Sequence, residues 1–149
     1  MKTLVAAALM WAVVGLGAAA AQAPAPSASA TRTTWYFYTV KWGYQDEFLD
    51  LFQKNHYPIL KAQLDAGVYV SVKTFVPENH GDGRADWTFA VELVRAAKPP
   101  QFDEEATLKK LYPDQATFRK EEQRRFELLV AHWDVPLNVV DMATRKPSM

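Results

Sequence analysis

Three histidines, no cysteine and one proline inside a helical pattern frame the chemistry open to this 149-residue sequence. His56 is the first candidate. It stands two residues before Pro58, in Asn55-His56-Tyr57-Pro58. Proline has no N–H, so in a helix the carbonyl of Lys54 loses its partner and the turn carrying His56 and Tyr57 is loosened. A polar side chain in such a turn can be aimed at a cavity. An unperturbed imidazole titrates near ~6.5, which suits a general base. The plainer alternative is a ring that bonds a neighbouring carbonyl and holds the kink. His80, Asp82 and Asp86 fall in one stretch but match no ligand spacing, so they read as a polar hairpin turn and no metal is expected. His132 precedes Trp133 at an expected helix end, where a cation meets the dipole favourably, and reads as structural.

Lys73 and Glu92 lie on strands whose alternation places them on one sheet face. They are expected to form a cross-strand ion pair that either orients a polar ligand group or fixes the register. Tyr36, Tyr38, Trp42, Tyr57 and Tyr69 supply aromatic surface for a ligand pocket or for plain core. The absence of cysteine removes disulfides, thiol nucleophiles and Cys-based metal sites. No Ser/His/Asp arrangement, phosphate-cradling glycine loop or paired-carboxylate signature is visible, and no cofactor is called for. The chain has 17 basic and 17 acidic residues. That balance gives no electrostatic reason to seek nucleic acid or an anionic membrane surface.

The elements that must position these residues follow from periodicity. Thr33 to Trp42 is a run of β-branched and aromatic residues, read as a strand. Gln45 to Ala66 has helical spacing, with Phe48, Leu51, Phe52, Asn55 and Ile59 on one face, and Gly67 stops it. Val68 to Val76 and Trp87 to Val94 alternate, so they should pair as a hairpin around Gly81-Asp82-Gly83. Phe102 to Tyr112 could form a short helix. Pro113 begins another, with Phe118, Phe126, Leu129, Val130 and Trp133 inward. Its charged run, including an expected Glu121–Arg125 pair, reads as a solvated face. Val135 to Met142 is the last strand. The order β-α-β-β-α-β in 33–142 predicts a ferredoxin-like α+β domain, a four-stranded antiparallel sheet with helices on one face. The other face would carry Tyr69, Ser71, Lys73, Phe75, Thr88, Ala90 and Glu92, joined by Tyr36, Tyr38 and Val40. A half-apolar face of this kind is rarely left bare.

Outside that domain, residues 1–21 have the order of a secretory signal: Lys2, an apolar run from Leu4 to Leu16, then small residues ending in Ala19-Ala20-Ala21. Cleavage is expected before Gln22, giving a periplasmic or secreted protein with no membrane attachment. A Pro/Ala/Ser-rich tether spans 22–32, and 143–149 form a tail.

In element order over about 33–142, and in the Asn55-His56-Tyr57-Pro58 segment, the chain resembles the dimeric α/β-barrel superfamily, in the branch of EthD-like and NIPSNAP-like domains. That resemblance implies two ferredoxin-like domains packed sheet against sheet as a homodimer. The superfamily includes cofactor-free monooxygenases, lactone isomerases, haem-handling proteins and members of unknown role, so the resemblance assigns no catalytic residue. Three functions stay open. The first is an exported dimer binding a small, partly apolar molecule between sheet and helices. The second is a cofactor-free monooxygenase or isomerase with His56 as base. The third is a non-catalytic structural or interaction domain.

Overall fold

A computed structural model describes residues 31–78 and 86–145. The expected export segment, most of the tether, the end of the tail, and the turn with His80 and Asp82 lie outside the described residues. The chain runs β1 (Thr31–Val40), α1 (Gln45–Leu51), a π-helical turn (Phe52–His56), α2 (Tyr57–Asp65), β2 (Tyr69–Phe75), β3 (Phe89–Ala96), α3 (Glu104–Leu111), α4 (Gln115–Glu127) and β4 (Leu129–Leu137). β1 therefore takes the last two residues assigned to the tether. The four strands form one sheet in the order β2-β3-β1-β4, all antiparallel. With helices packed on one side, this is the ferredoxin-like α+β arrangement.

The core lies between that sheet and the helices. β1 and β3 pair Tyr38 with Phe89 and Tyr36 with Val91, so these side chains share the helix-facing side. Phe48, Phe52 and Leu60 meet them from the first helical stretch, and Leu128 from the end of α4. Each fully buried phenylalanine contributes about 1.5–3 kcal/mol, and the rings of Phe48, Phe52, Phe89 and Tyr38 lie within 4.8–6.1 Å of one another. At the end of α2 the Val68 N–H bonds the Gln63 carbonyl at 2.9 Å and the Gly67 N–H that of Leu64 at 3.0 Å. This double closure needs a left-handed residue, and Gly67 supplies it at φ 79°. Asp103 and Asp114 cap α3 and α4 by accepting from backbone N–H groups.

Three expectations change. The last strand is β4 at Leu129–Leu137, six residues ahead of the expected Val135–Met142, so Leu129, Val130 and Trp133 belong to it and not to the helix. Phe126, expected inward, is 53% exposed. β4 is an edge strand, which is where a sheet tolerates Pro136 without losing a ladder bond. The membership of the open sheet face also changes. Ser71, Lys73, Phe75, Ala90 and Glu92 lie there as expected. Tyr36, Tyr38, Val40 and Tyr69 pack against the helix-side core instead. For Tyr69 the cause is a β-bulge: Tyr69 pairs with Arg95 but Ser71 with Val94, so the alternation slips by one and Val70 turns out to solvent. Third, α4 is no simple solvated face. Arg125 is 2% exposed and pairs with Glu122 at 2.9 and 2.8 Å, not with Glu121. Glu121 bonds Lys54 at 2.6 Å and Asn55 at 2.9 Å, and Arg124 grips Glu47.

Candidate functional site

Pro58 shapes the site as the sequence suggests, and the detail is a π-turn. The Tyr57 N–H reaches back five residues to the Phe52 carbonyl, the wide closure of a π-bulge. The extra residue turns Asn55 and His56 out of the simple helical repeat. Another element caps the kink: the Tyr112 hydroxyl, just after α3, donates to the Asn55 carbonyl at 2.6 Å and lies 3.3 Å from the Lys54 carbonyl, the one that Pro58 leaves without a helical partner. Tyr112 is itself fixed by stacking on Phe118 at 4.3 Å. Its phenol pKa is raised to about 12, by burial first and then by Glu122, so it stays a donor at neutral pH. From the other side, buried Asn55 donates to Glu121. The kink is thus held by Tyr112 and Asn55. Among the described residues no backbone carbonyl bonds the His56 ring.

His56 instead faces a cavity of about 310 Å³ between sheet and helices. Tyr36, Tyr38 and His132 come to it from β1 and β4, Val91 and Leu93 from β3, and Tyr69 from β2. Ile59, Leu60 and Gln63 of α2 and Arg125 and Phe126 of α4 close the helical side, and Glu104 is at the rim. The His56 ring packs against Phe52 at 5.0 Å. Its Nδ1 is 4.0 Å from Glu122, too far for a hydrogen bond. Burial, and next the Arg125 guanidinium, press the imidazole pKa down to about 4, against the opposing pull of Glu122. His56 is therefore neutral at physiological pH. The His132 ring stacks on Tyr38 at 4.2 Å. Its Nδ1 is 2.9 Å from the Phe37 carbonyl and its Nε2 3.4 Å from Asp134. A carbonyl only accepts, so Nδ1 donates. Burial lifts the Tyr38 phenol pKa to about 12, with Arg125 opposing.

Of the side chains singled out in the sequence, His56, Tyr36, Tyr38 and Tyr69 meet at this cavity. Tyr57 does not line it and is 40% exposed on the helix surface. Trp42 borders a separate groove beside Val40, Gln45 and Val76. Lys73 and Glu92 are direct cross-strand partners at 3.4 Å, as expected, but on the open face of the sheet. Reasoning from sequence missed His132 and Arg125. His132 had a visible signal: His132 and Asp134 alternate with Trp133, Val135 and Leu137, a period of two that marks a strand and places the imidazole opposite the apolar side. Arg125 had no comparable signal.

No protein-family model matches the chain, and no curated protein is similar to it. Among solved structures it is similar to a NIPSNAP family protein from Agrobacterium tumefaciens str. C58, at 18% identity over 75% of this chain and 88% of that one, with a TM-score of 0.43. It is similar also to a dimeric protein of unknown function and ferredoxin-like fold from Bacteroides fragilis NCTC 9343 (12% identity, 73% and 96% of the two chains, TM-score 0.44). A third is an uncharacterized NIPSNAP domain protein from Burkholderia xenovorans (12%, 74% and 96%, TM-score 0.43). These neighbours are of the kinds that the element order and the Asn55–Pro58 segment resemble.

Proposed function

We propose that this chain is an exported, dimeric domain that binds a small, partly apolar molecule in the cavity beside His56. The observation that carries the reading is the make-up of that cavity. Val91, Leu93, Ile59 and Leu60 give it apolar walls, and His56, Tyr36, Tyr38 and Tyr69 bring a few polar atoms together. Ligand sites combine an apolar lining with a small number of such groups. A domain whose sheet served only for assembly has no need of them.

Dimerisation is supported by the open sheet face. Trp35 stacks on Phe75 at 4.9 Å and on Phe37 at 5.8 Å, and Phe37 on Trp133 at 5.4 Å. A contiguous aromatic surface of this kind marks an interface, and no helix among the described residues covers it. Export is supported by the signal-like order of residues 1–21.

The enzymatic alternative, with His56 as base, has one observation in its favour: the imidazole is neutral and so free to accept a proton. Its strength speaks for binding instead. General bases work best with a pKa near the operating pH, and His56 is depressed to about 4. The test is His56→Ala on the exported protein. Binding predicts a domain that melts close to the wild type and loses its retained small molecule. A mutant that is destabilised and keeps its small molecule would refute the reading.

A further inference from the structure

The cavity has unspent hydrogen-bond donors at its deep end. Tyr38 is 4% exposed, held between the His132 ring and the Phe48, Phe52 and Phe89 rings. Its hydroxyl bonds no group among the described residues, yet its oxygen is not sealed into the core: the single buried side-chain oxygen or nitrogen there without a partner is Oε1 of Gln45. The phenol therefore opens on the cavity that Tyr38 lines. An occupant that displaces water from this hydroxyl without accepting from it would leave it buried and unpartnered, which is unfavourable by about 1–3 kcal/mol, so an occupant that accepts is selected. Tyr36 and Tyr69 line the same wall, and their hydroxyls too bond nothing among the described residues.

The charges around it narrow the class. Arg125 is the cation among the residues that line the cavity, and it is already held by Glu122 through two hydrogen bonds, at 2.9 and 2.8 Å; Arg95, which acts on Tyr36, is exposed and outside the lining. A carboxylate ligand would find the lining cation already paired and the Glu104 carboxylate at the rim. A neutral oxygen can accept from the Tyr36, Tyr38 or Tyr69 hydroxyl without bringing a charge beside that carboxylate. We infer that the occupant is an otherwise apolar molecule bearing a neutral carbonyl oxygen, which accepts the Tyr38 hydroxyl; this rests on the reading of the cavity as a binding site. The Tyr38 phenol remains protonated far above neutral pH, so the donor is always present. Tyr38 is then the residue that sets specificity, and His56, neutral beside it, adds no charge that would draw an anion.

Three probes of one size test this by NMR titration, following the ring signals of His56 and Tyr38. Acetophenone has the carbonyl, α-methylstyrene replaces that oxygen with CH₂, and benzoate carries the charge. The expected result is acetophenone about fivefold tighter than α-methylstyrene, the scale of one neutral hydrogen bond, and benzoate weakest. In Tyr38→Phe, which keeps the buried ring, the fivefold difference should vanish. Equal affinity for acetophenone and α-methylstyrene, tightest binding by benzoate, or a difference that survives in Tyr38→Phe would overturn the inference and leave the binding reading standing. If none of the three probes moves either ring signal, the binding reading falls and takes the inference with it. The wild-type comparison decides without any variant, should Tyr38→Phe fail to fold.

Discussion

Tyr112→Phe removes one oxygen from this protein and should loosen the turn that aims His56. The ring would still stack on Phe118 at 4.3 Å, so packing is preserved. What goes is the donor to the carbonyls of Asn55 and Lys54, at 2.6 and 3.3 Å. Asn55 is 1% exposed, and the Lys54 carbonyl finds no N–H at Pro58 as a substitute. A carbonyl so orphaned costs about 1–3 kcal/mol. For a domain of this size each kcal/mol is worth about 4 °C of melting temperature, so the variant should melt roughly 4–12 °C below the wild type. A loosened turn should also let water reach His56. Desolvation is the first cause of its low pKa, so the imidazole should titrate upward from about 4 toward its ordinary ~6.5, as read by NMR of the ring carbons. A generic loss of stability would lower the melting point and leave the titration in place. An unchanged melting point together with an unmoved His56 titration would refute the role given to Tyr112.

Further outcomes follow from the same geometry. His56 binds its proton in the unfolded chain near ~6.5 and in the folded one only near about 4, so between those values the unfolded state holds more protons and stability falls as the pH drops, by at most about 1.4 kcal/mol per pH unit. Urea unfolding across pH 4–7 should show this slope reduced in His56→Gln; equal slopes would contradict the burial argument. Phe75→Asp places a charge in the aromatic row of the open face and should convert a dimer to monomer or to insoluble protein, and a wild type that sediments as a monomer at micromolar concentration would dismiss the interface. N-terminal sequencing of the exported protein should begin at Gln22 or within a few residues, whereas intact Met1 on membrane-bound protein would dismiss the export signal.

How legible the fold was in the sequence depended on how far each local pattern decided its own structure. β1 was legible because a run of aromatic and β-branched residues has no helical alternative. The Lys73–Glu92 pair followed from alternation alone. The kink at Pro58 was legible because proline acts on its own backbone, but its partner Tyr112 lies 58 residues from Lys54, and no local pattern announces a contact at that distance. β4 was misplaced because Leu128-Leu129-Val130 continues the helical face of α4 as well as it begins a strand; the sheet edge decided the matter. Tyr69 went to the wrong face because one bulge reverses parity for every residue on its far side. Arg125 was hidden because a charge run on a helix normally faces water, and only tertiary packing against Phe52 and the His56 cavity buries it.

The proposed binding requires a small molecule in the cavity beside His56 of the working protein. Native mass spectrometry of the protein purified from its own source tests it most directly. The expected spectrum shows two chains, each beginning near Gln22 and each carrying a small non-covalent adduct that is released on collision and is missing from His56→Ala. Wild-type chains that fly bare of any adduct, under conditions gentle enough to keep the dimer together, would contradict it.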